Sequence, residues 1–276
     1  MPLDFPPSQA RPVQTRRIDP AYVKGALFQR LWAKAYLSVL MTRQGIRPYD
    51  HARGIMGTWS GAPSIVVDPV LGPSFLGGGT NERLEWPTSR YTFPEQRDFT
   101  AVCLFRMDLG GRLQGLVKTT VSTGAEGIDL VMLDTNECCL NKAAIGTVFS
   151  GIFLTVGVPY FFACTYQHGT GAAQFLSKRL DTGATVISSA TDTRIYSVLE
   201  GGAMIGSYST FAFAGRIAGA YMGNLYIGAD GLRLWANDPW GLWRESRYVA
   251  AWEAVAAAGG GGGKLAGSLM SAGMGF

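Results

Sequence analysis

The sequence predicts a mainly β protein: an antiparallel β-sandwich of the jelly-roll type, with an extended arm and a helix at the N-terminus and a helix and a glycine-rich tail at the C-terminus. Three observations support this fold class. From residue 54 onward, apolar and polar residues alternate in short runs, as they do in strands with one buried face. Glycine contributes 37 of 276 residues, about twice its usual ~7% share, and separates these runs as turns would. Charged residues make up only 16% of the chain, against a usual share of about 25%, which excludes an intrinsically disordered protein.

The N-terminal part of the chain predicts an arm followed by a helix. Residues 1–18 are rich in proline and arginine and favour an extended conformation. Asp19-Pro20 supplies a capping residue and a proline at the first helical position, which together typically start a helix. Apolar residues then recur at helical spacing from Ala21 to Met41. We therefore expect one amphipathic helix over 21–41.

The central part of the chain predicts several short strands joined by glycine turns. Turn signals occur at His168–Gly171 and at Asp181–Gly183. The clearest alternating runs, each predicted to be a strand, are Asp98–Asp108, Gly127–Asp134, Pro159–Tyr166, Ala173–Leu180 and Ala184–Ser189.

The C-terminal part of the chain differs again in composition. Residues 242–258 can form a helix, five glycines follow at 259–263, and the end is apolar. We therefore divide the chain into three segments: a basic arm with its helix (1–50), the jelly-roll domain (51–241), and a C-terminal helix, glycine linker and tail (242–276).

The positive charge of the protein is concentrated near the N-terminus. Residues 1–53 contain nine Lys and Arg against three Asp and Glu, whereas the rest of the chain contains 15 against 17. Such an arm favours an acidic partner, although a solvated tail has the same composition. The residues predicted to dock on a partner are Arg11, Arg16, Arg17, Lys24, Arg30, Trp32 and Lys34.

The sequence shows no convincing set of catalytic or metal-ligating residues. There are two histidines, and the four cysteines include no C-x-x-C pair, so neither a metal nor a cofactor is predicted. Three acids, Glu126, Asp129 and Asp134, surround one predicted strand. Glu126 and Asp129, and Asp129 and Asp134, have odd separations, so each pair points to opposite strand faces, and we interpret the three as solubilising acids near turns. The expectation is a protein without catalytic residues, that is, not an enzyme.

Three tryptophans near the end of the β region offer a second kind of site. Trp235, Trp240 and Trp243 could bind a sugar ring if their side chains are exposed. A structural role, as residues of a closing strand and its anchor, is the alternative that we favour for them.

Several segments follow one another in the order of a known β-sandwich. These are residues 51–59, 72–84, 99–107, 159–168, 203–206 and 213–220. Together they resemble the laminin-G-like, or concanavalin A-like, jelly-roll superfamily. The ending Leu234-Trp235-Ala236-Asn237-Asp238-Pro239-Trp240-Gly241-Leu242-Trp243 is similar to the "N-P-W-x-L/M-F" element of jelly-roll proteins of tailed bacteriophages, with Asp238 inserted and Trp243 in place of phenylalanine.

The resemblance implies a binding or structural module of a virion. We expect a bacteriophage virion structural protein, either a capsid decoration or cement protein or a tail-associated subunit, that docks through its terminal arms and is assembled in the host cytoplasm. Its expected partners are other virion proteins (the major capsid or a tail protein), further copies of the chain and a host glycan, with neither nucleic acid nor a membrane. The alternatives are a carbohydrate-binding tail-fibre or receptor-binding adhesin and, third, a glycoside hydrolase.

Overall fold

The computed structural model describes residues 23, 25–41, 48–86, 97–119, 127–142, 146–194, 202–208 and 211–244. In these residues two antiparallel sheets form a β-sandwich with few helices, which confirms the predicted fold class. Helices α1 and α2 span Ala26–Ala33 and Gly228–Asn237, and a 3₁₀ turn spans Gly241–Trp243. No helix among the described residues is both long and apolar enough to cross a membrane.

The strands are numbered in chain order. The larger sheet contains β1 (Ala35–Leu40), β2 (Tyr49–Asp50), β3 (Ile55–Met56), β5 (Ser64–Asp68), β6 (Gly72–Gly78), β8 (Phe99–Met107), β13 (Pro159–Gln167), β14 (Ala172–Arg179), β15 (Thr185–Thr191) and β19 (Ala214–Gly223). The smaller sheet contains β4 (Thr58–Ser60), β7 (Arg83–Trp86), β9 (Gln114–Lys118), β10 (Ile128–Met132), β11 (Cys138–Lys142), β12 (Gly146–Val148) and β16 (Ala203–Ile205). A separate hairpin consists of β17 (Ser207–Tyr208) and β18 (Phe211–Ala212).

The order of the strands places non-consecutive segments side by side. The larger sheet runs β15-β14-β13-β8-β19-β1-β2-β3, and β6 pairs with both β19 and β5. The smaller sheet runs β12-β11-β10-β9-β16-β7-β4. The five strands that the sequence predicted most clearly correspond to β8, β10, β13, β14 and β15.

Two apolar cores lie on either side of the larger sheet. On β8, Cys103 and Phe105 face the core between the sheets, whereas Val102 and Leu104 face a second core under the helices. This second core contains Trp32 of α1, among other residues, and α2 also packs on it. The molecule is therefore built of three layers: helices, larger sheet and smaller sheet.

The helix predicted over 21–41 is correct only for Ala26–Ala33: Val23 forms a β-bridge, and Gly25 precedes the helix at a φ of 97°. Residues Ala35–Leu40 form β1, which pairs with β19 on one side and β2 on the other. Both faces of β1 are apolar because it lies between the two cores, and a doubly buried strand shows the same near-continuous apolar run as a helix. Because α1 and β1 belong to the sandwich, the arm predicted for 1–50 does not extend over 26–40. The other segment boundaries stay predictions.

Helix α2 was not predicted from the sequence. Leu234-Trp235, expected in a closing strand, lies in α2, where Leu232, Trp235 and Ala236 share the buried face. Two glycines of the helix, Gly228 and Gly231, masked its helical pattern, since glycine is a poor helix former. Most of the helix predicted over 242–258 lies outside the described residues.

Candidate functional site

A row of side chains crosses the smaller sheet from edge to edge. The strand register pairs Asp129 with Asn141 and with Lys118, and each of these continues to the next strand. Residues directly opposite one another in an antiparallel pair share a face of the sheet. The complete row is Thr147, Asn141, Asp129, Lys118, Met204, Glu85 and Thr58.

This polar row faces away from the core of the sandwich. Successive side chains of a strand point to opposite faces, and the neighbours of the row point inward. The inward neighbours in the core between the sheets include Leu84, Val117, Ile128, Leu130, Leu140 and Ile205. The polar row is therefore on the outer face of the smaller sheet.

Asp129 is the central acid of the polar row, and it is only 1% exposed. Asn141 Nδ2 donates a hydrogen bond to its Oδ2 at 3.3 Å, whereas Oδ1 has no hydrogen-bond partner among the described residues. Burial raises the pKa of Asp129 to about 7, against the opposing effects of the Lys118 charge and the Asn141 hydrogen bond. The carboxyl group therefore changes its protonation near neutral pH and has an unused acceptor.

The polar row continues toward the β12 edge through two further side chains. Thr147 Oγ1 donates to Asn141 Oδ1 at 3.3 Å, so Thr147, Asn141 and Asp129 form a chain of hydrogen bonds. Burial decreases along this chain, because Thr147 is only half-buried. Thr147, at the β12 edge, is thus the most exposed of the three side chains, and Asn141 and Asp129 are buried behind it.

Two aromatic side chains are exposed next to this edge. Phe149 and Phe153 are 60% and 64% exposed, and Phe153 pairs with Glu137 in an isolated bridge beside β11. Their neighbours Val148 and Ile152 point into the core, so the two phenylalanines point outward by alternation. The outer face near β12 therefore combines polar groups with exposed aromatic rings. We call the set of Asp129, Asn141, Thr147, Phe149 and Phe153 the outer-face site.

The three tryptophans proposed as sugar-binding residues are instead part of the second core. Trp235, Trp240 and Trp243 are buried, and the Trp235 ring packs edge-on against Tyr221 at 5.2 Å between centroids. Trp243 Nε1 donates to Ser38 Oγ of β1 at 3.0 Å. Their ring faces are therefore occupied within the chain, and the structural alternative describes them.

The predicted docking residues have different positions. Arg30 and Lys34 are exposed at the end of α1, whereas Trp32 is buried and its Nε1 donates to the Leu242 carbonyl at 2.6 Å. Trp32 is thus a residue of the second core. The remaining members lie outside the described residues; they are Arg11, Arg16, Arg17 and Lys24.

The interpretation of the acids was wrong for Asp129. Asp134 is exposed in the turn after β10, as expected of a solubilising acid, and Glu126 lies outside the described residues. Asp129, however, is buried in mid-strand within the run Ile128-Asp129-Leu130. The sequence does contain a signal of this burial, which is an acid inside an apolar run. Buried acids are rare, so an acid in such a run is a candidate functional residue.

Metal binding finds no support in the described parts of the chain. No three His, Cys, Asp or Glu side chains there lie close enough together to hold an ion. The four cysteines are buried thiols, and burial raises their pKa.

The fold is similar to that of carbohydrate-related proteins. No family model matches the chain, and no curated protein matches its sequence. The binding domain of botulinum neurotoxin DC in complex with SialylT is 8% identical, with a TM-score of 0.53 over 75% of this chain and 52% of that one. A Trypanosoma rangeli sialidase in complex with the inhibitor DANA is 14% identical, with a TM-score of 0.51 over 72% of this chain and 32% of that one.

A phage protein is also among the similar structures. Tailspike protein 2 of Escherichia coli O157:H7 bacteriophage CAB120 is 15% identical, with a TM-score of 0.47 over 66% of this chain and 27% of that one. The chain thus spans between about a quarter and a half of the three structures. At these identities the likeness to the neurotoxin domain and the sialidase shows a shared fold alone.

The expectation that the chain is not an enzyme is contradicted. Sialidases, which are glycoside-cleaving enzymes, are among the structures that share its fold, at 14% identity and with partial coverage. The buried carboxyl of Asp129 also removes the argument that all acids near β10 are solubilising.

Proposed function

We propose that the chain is a glycan-binding β-sandwich of a bacteriophage virion, and that the outer-face site binds the saccharide. One observation carries the proposal: Asp129 Oδ1 is buried without a hydrogen-bond partner among the described residues, in a polar row that ends next to exposed aromatic rings. An unpaired buried acceptor costs about 1–3 kcal/mol, so it is retained where a ligand can satisfy it.

The chemistry of the site suits a sugar. A hydroxyl group can donate to Asp129 Oδ1, and the Thr147 hydroxyl can accept a hydrogen bond while it donates to Asn141. Phe149 presents an apolar ring on which the C–H face of a pyranose can pack. Polar groups that fix orientation next to an aromatic surface are the usual composition of a small-ligand site. The complexes of the similar neurotoxin domain and sialidases, with SialylT, DANA and sialic acid, make sialylated glycans the first probes to use.

Glycan binding is tested by a matched pair of acid variants. Asp129→Asn keeps the side-chain shape but removes one acceptor, and we expect the affinity for a glycan identified on an array of sialylated and bacterial-surface saccharides to fall about 10- to 100-fold. Asp134→Asn removes an exposed acid from the next turn and should leave the affinity unchanged. Calorimetric titration measures both.

An aromatic pair provides an independent check of the same site. Phe149→Ala removes an exposed ring from the outer face and should weaken glycan binding, whereas Phe211→Ala, on the β17–β18 hairpin, should not. Unchanged affinity in both Asp129→Asn and Phe149→Ala, with both proteins folded by circular dichroism, would exclude the outer-face site.

A glycoside hydrolase is the second candidate, favoured by the pKa of Asp129. A carboxyl group that titrates near pH 7 is suited to donate a proton to a leaving oxygen. Glu85, the other acid of the polar row, is three strand spacings away, about 14 Å, and a catalytic carboxyl pair needs about 5–9.5 Å. A second carboxyl must therefore come from elsewhere. Release of reducing sugar by the wild type but not by Asp129→Asn would establish hydrolysis.

The position on the particle forms the rest of the proposal. We assign the chain to the tail or to the capsid surface, held on other virion proteins by the basic N-terminal residues and associated with further copies of itself. Arg30 of α1 and Lys34, which follows the helix, support this assignment because both are exposed while Leu31 and Trp32 of the helix are buried.

A further inference from the structure

Strand β15 forms an open edge of the larger sheet. It pairs with β14 over seven consecutive residues without a bulge. No strand pairs with its other side among the residues that the structure describes. The backbone groups on that side are therefore available to another strand.

This edge lacks the features that usually prevent pairing between molecules. Natural sheets protect their edges with lysine, proline, bulges or very short strands. The sequence between Asp181 and Asp192 contains no charged residue and no proline, and β15 is rich in β-branched residues. Val186 is 53% exposed on it. An edge of this length and composition is suited to pair with another strand.

The hydrogen bonds at both ends of β15 show which residues point outward. Arg179 N donates to Ala184 O, and Asp192 N donates to Gly171 O. In an antiparallel pair the residues that bond to a given neighbour alternate, so the even-numbered residues from 184 to 192 bond to β14. The backbone N–H and C=O groups that point to the open edge belong to Thr185, Ile187, Ser189 and Thr191.

We propose that this edge binds β15 of a second copy of the chain, antiparallel, with the twofold axis at Ser188. In this register Ser188 faces the partner's Ser188, and each of the four outward-pointing residues donates one hydrogen bond to the partner and accepts one. Thr185 lies opposite the partner's Thr191, and Ile187 lies opposite the partner's Ser189. The proposal is independent of the glycan site.

The sequence of β15 favours a second copy over an unrelated strand. A twofold interface requires each residue to be compatible with its mate in the same segment. Thr185 pairs with the partner's Thr191, Val186 with the partner's Ala190, and Ile187 with the partner's Ser189. All of these side chains are uncharged, so no like charges lie opposite each other. Pairs of this kind each contribute about 0.2–1 kcal/mol, so the dimer is weak. We therefore expect it to form at high protein concentration or within an assembly.

The oligomeric state tests the proposal. Sedimentation velocity of the full chain should show a shift from the 29.6 kDa monomer to twice that mass as concentration rises. Ser189→Pro removes an outward N–H, which an edge strand tolerates, and should abolish the shift. Ser189→Ala keeps the N–H and should dimerise like the wild type. A wild type that stays monomeric, or equal dimerisation of the two variants, overturns the proposal.

A cross-link tests the register even if the proline variant fails to fold. Directly opposed residues that do not bond to each other have Cα atoms about 4.5 Å apart, within the range of a disulfide. Mild oxidation of Ser188→Cys should therefore give a covalent dimer, and Ser189→Cys should not, since its mates are offset along the strand. The native thiols are buried and do not compete. Absence of the Ser188→Cys dimer, or equal cross-linking of both variants, contradicts the register.

Discussion

Two buried charged side chains of the smaller sheet have opposite surroundings. Lys142 Nζ is fully satisfied: it donates to Tyr166 OH at 2.9 Å and to the carbonyls of Asp192 and Arg194 at 3.1 and 3.0 Å, and it lies 3.3 Å from the Asp192 carboxylate. It thereby ties β11 to residues that follow β15 in the larger sheet. Asp129 has one oxygen without such a partner among the described residues. The first arrangement is structural, and the second is the observation on which the proposed glycan site depends.

Asp129 should make the protein less stable as the pH rises. Its pKa is about 7 in the folded chain and 3.8 for an ordinary Asp, so the folded state holds a proton that the unfolded state releases. This contribution to the free energy of unfolding is complete below about pH 4 and is lost as the pH rises to 7, at about 1.4 kcal/mol per unit. The depressed pKa of Asp192, about 2, acts below this window.

Urea unfolding of Asp129→Asn between pH 4 and 8 measures this contribution. The free energy of unfolding of the wild type should contain a decrease with rising pH that is missing in Asp129→Asn. Asp134→Asn should keep this decrease because Asp134 is exposed. Parallel curves for the wild type and Asp129→Asn would show that the carboxyl group is not held protonated.

At the scale of elements, β1 illustrates how one apolar segment suits two structures. The spacing of Leu31, Ala35 and Val39 is that of a helix, and it predicts a helix where the structure has a strand. The backbone of residues 35–40 instead pairs with β19, because that strand and β2 offer hydrogen bonds on both sides. Because the segment lies between two cores, the side chains on both of its faces are buried, and this burial stabilises the strand.

Two truncations separate docking from folding. Removing residues 1–41 deletes α1 and β1, so we expect loss of the cooperative thermal transition. Removing residues 1–22 leaves both elements, so we expect an unchanged transition but loss of the protein from assembled particles, because Arg11, Arg16 and Arg17 are gone. Copurification with particles measures incorporation, and wild-type incorporation of the shorter truncation would refute the docking role.

At the scale of the whole molecule, the tryptophans hold the helical layer on the larger sheet. Trp235 packs against Phe28, Phe161 and Tyr221, which come from α1, β13 and β19. Trp32 and Trp243 join the two ends of the described chain through hydrogen bonds to Leu242 and Ser38. The outer-face site lies on the opposite side of the sandwich, so the two regions can be tested separately.

Trp235→Ala should reduce stability without affecting the glycan site. Loss of a large buried ring costs about 3–5 kcal/mol, whereas Leu234→Ala, on the exposed side of α2, should cost less than about 0.5 kcal/mol. Denaturant unfolding measures both. Glycan affinity of the folded Trp235→Ala protein should equal that of the wild type, and a selective loss of affinity would restore Trp235 as a sugar-binding residue.

The sequence by itself determined the β-sandwich class and the strands whose alternation is local. Runs such as 98–108 and 159–166 have period two and end at turn residues, so neighbouring positions alone predict them. The exposed acid Asp134 was also predictable, because turn residues are solvated.

Only the tertiary structure decided the conformation of residues 35–40 and the composition of the outer-face site. β1 is a strand because β2 and β19, the latter about 180 residues away, supply its hydrogen bonds and its burial. Asp129, Asn141 and Thr147 come together through pairing between strands, and Phe153 lies beside them through its bridge to Glu137. The physical reason is that local sequence specifies backbone preference, whereas burial and cross-strand contact depend on which distant segments pack alongside.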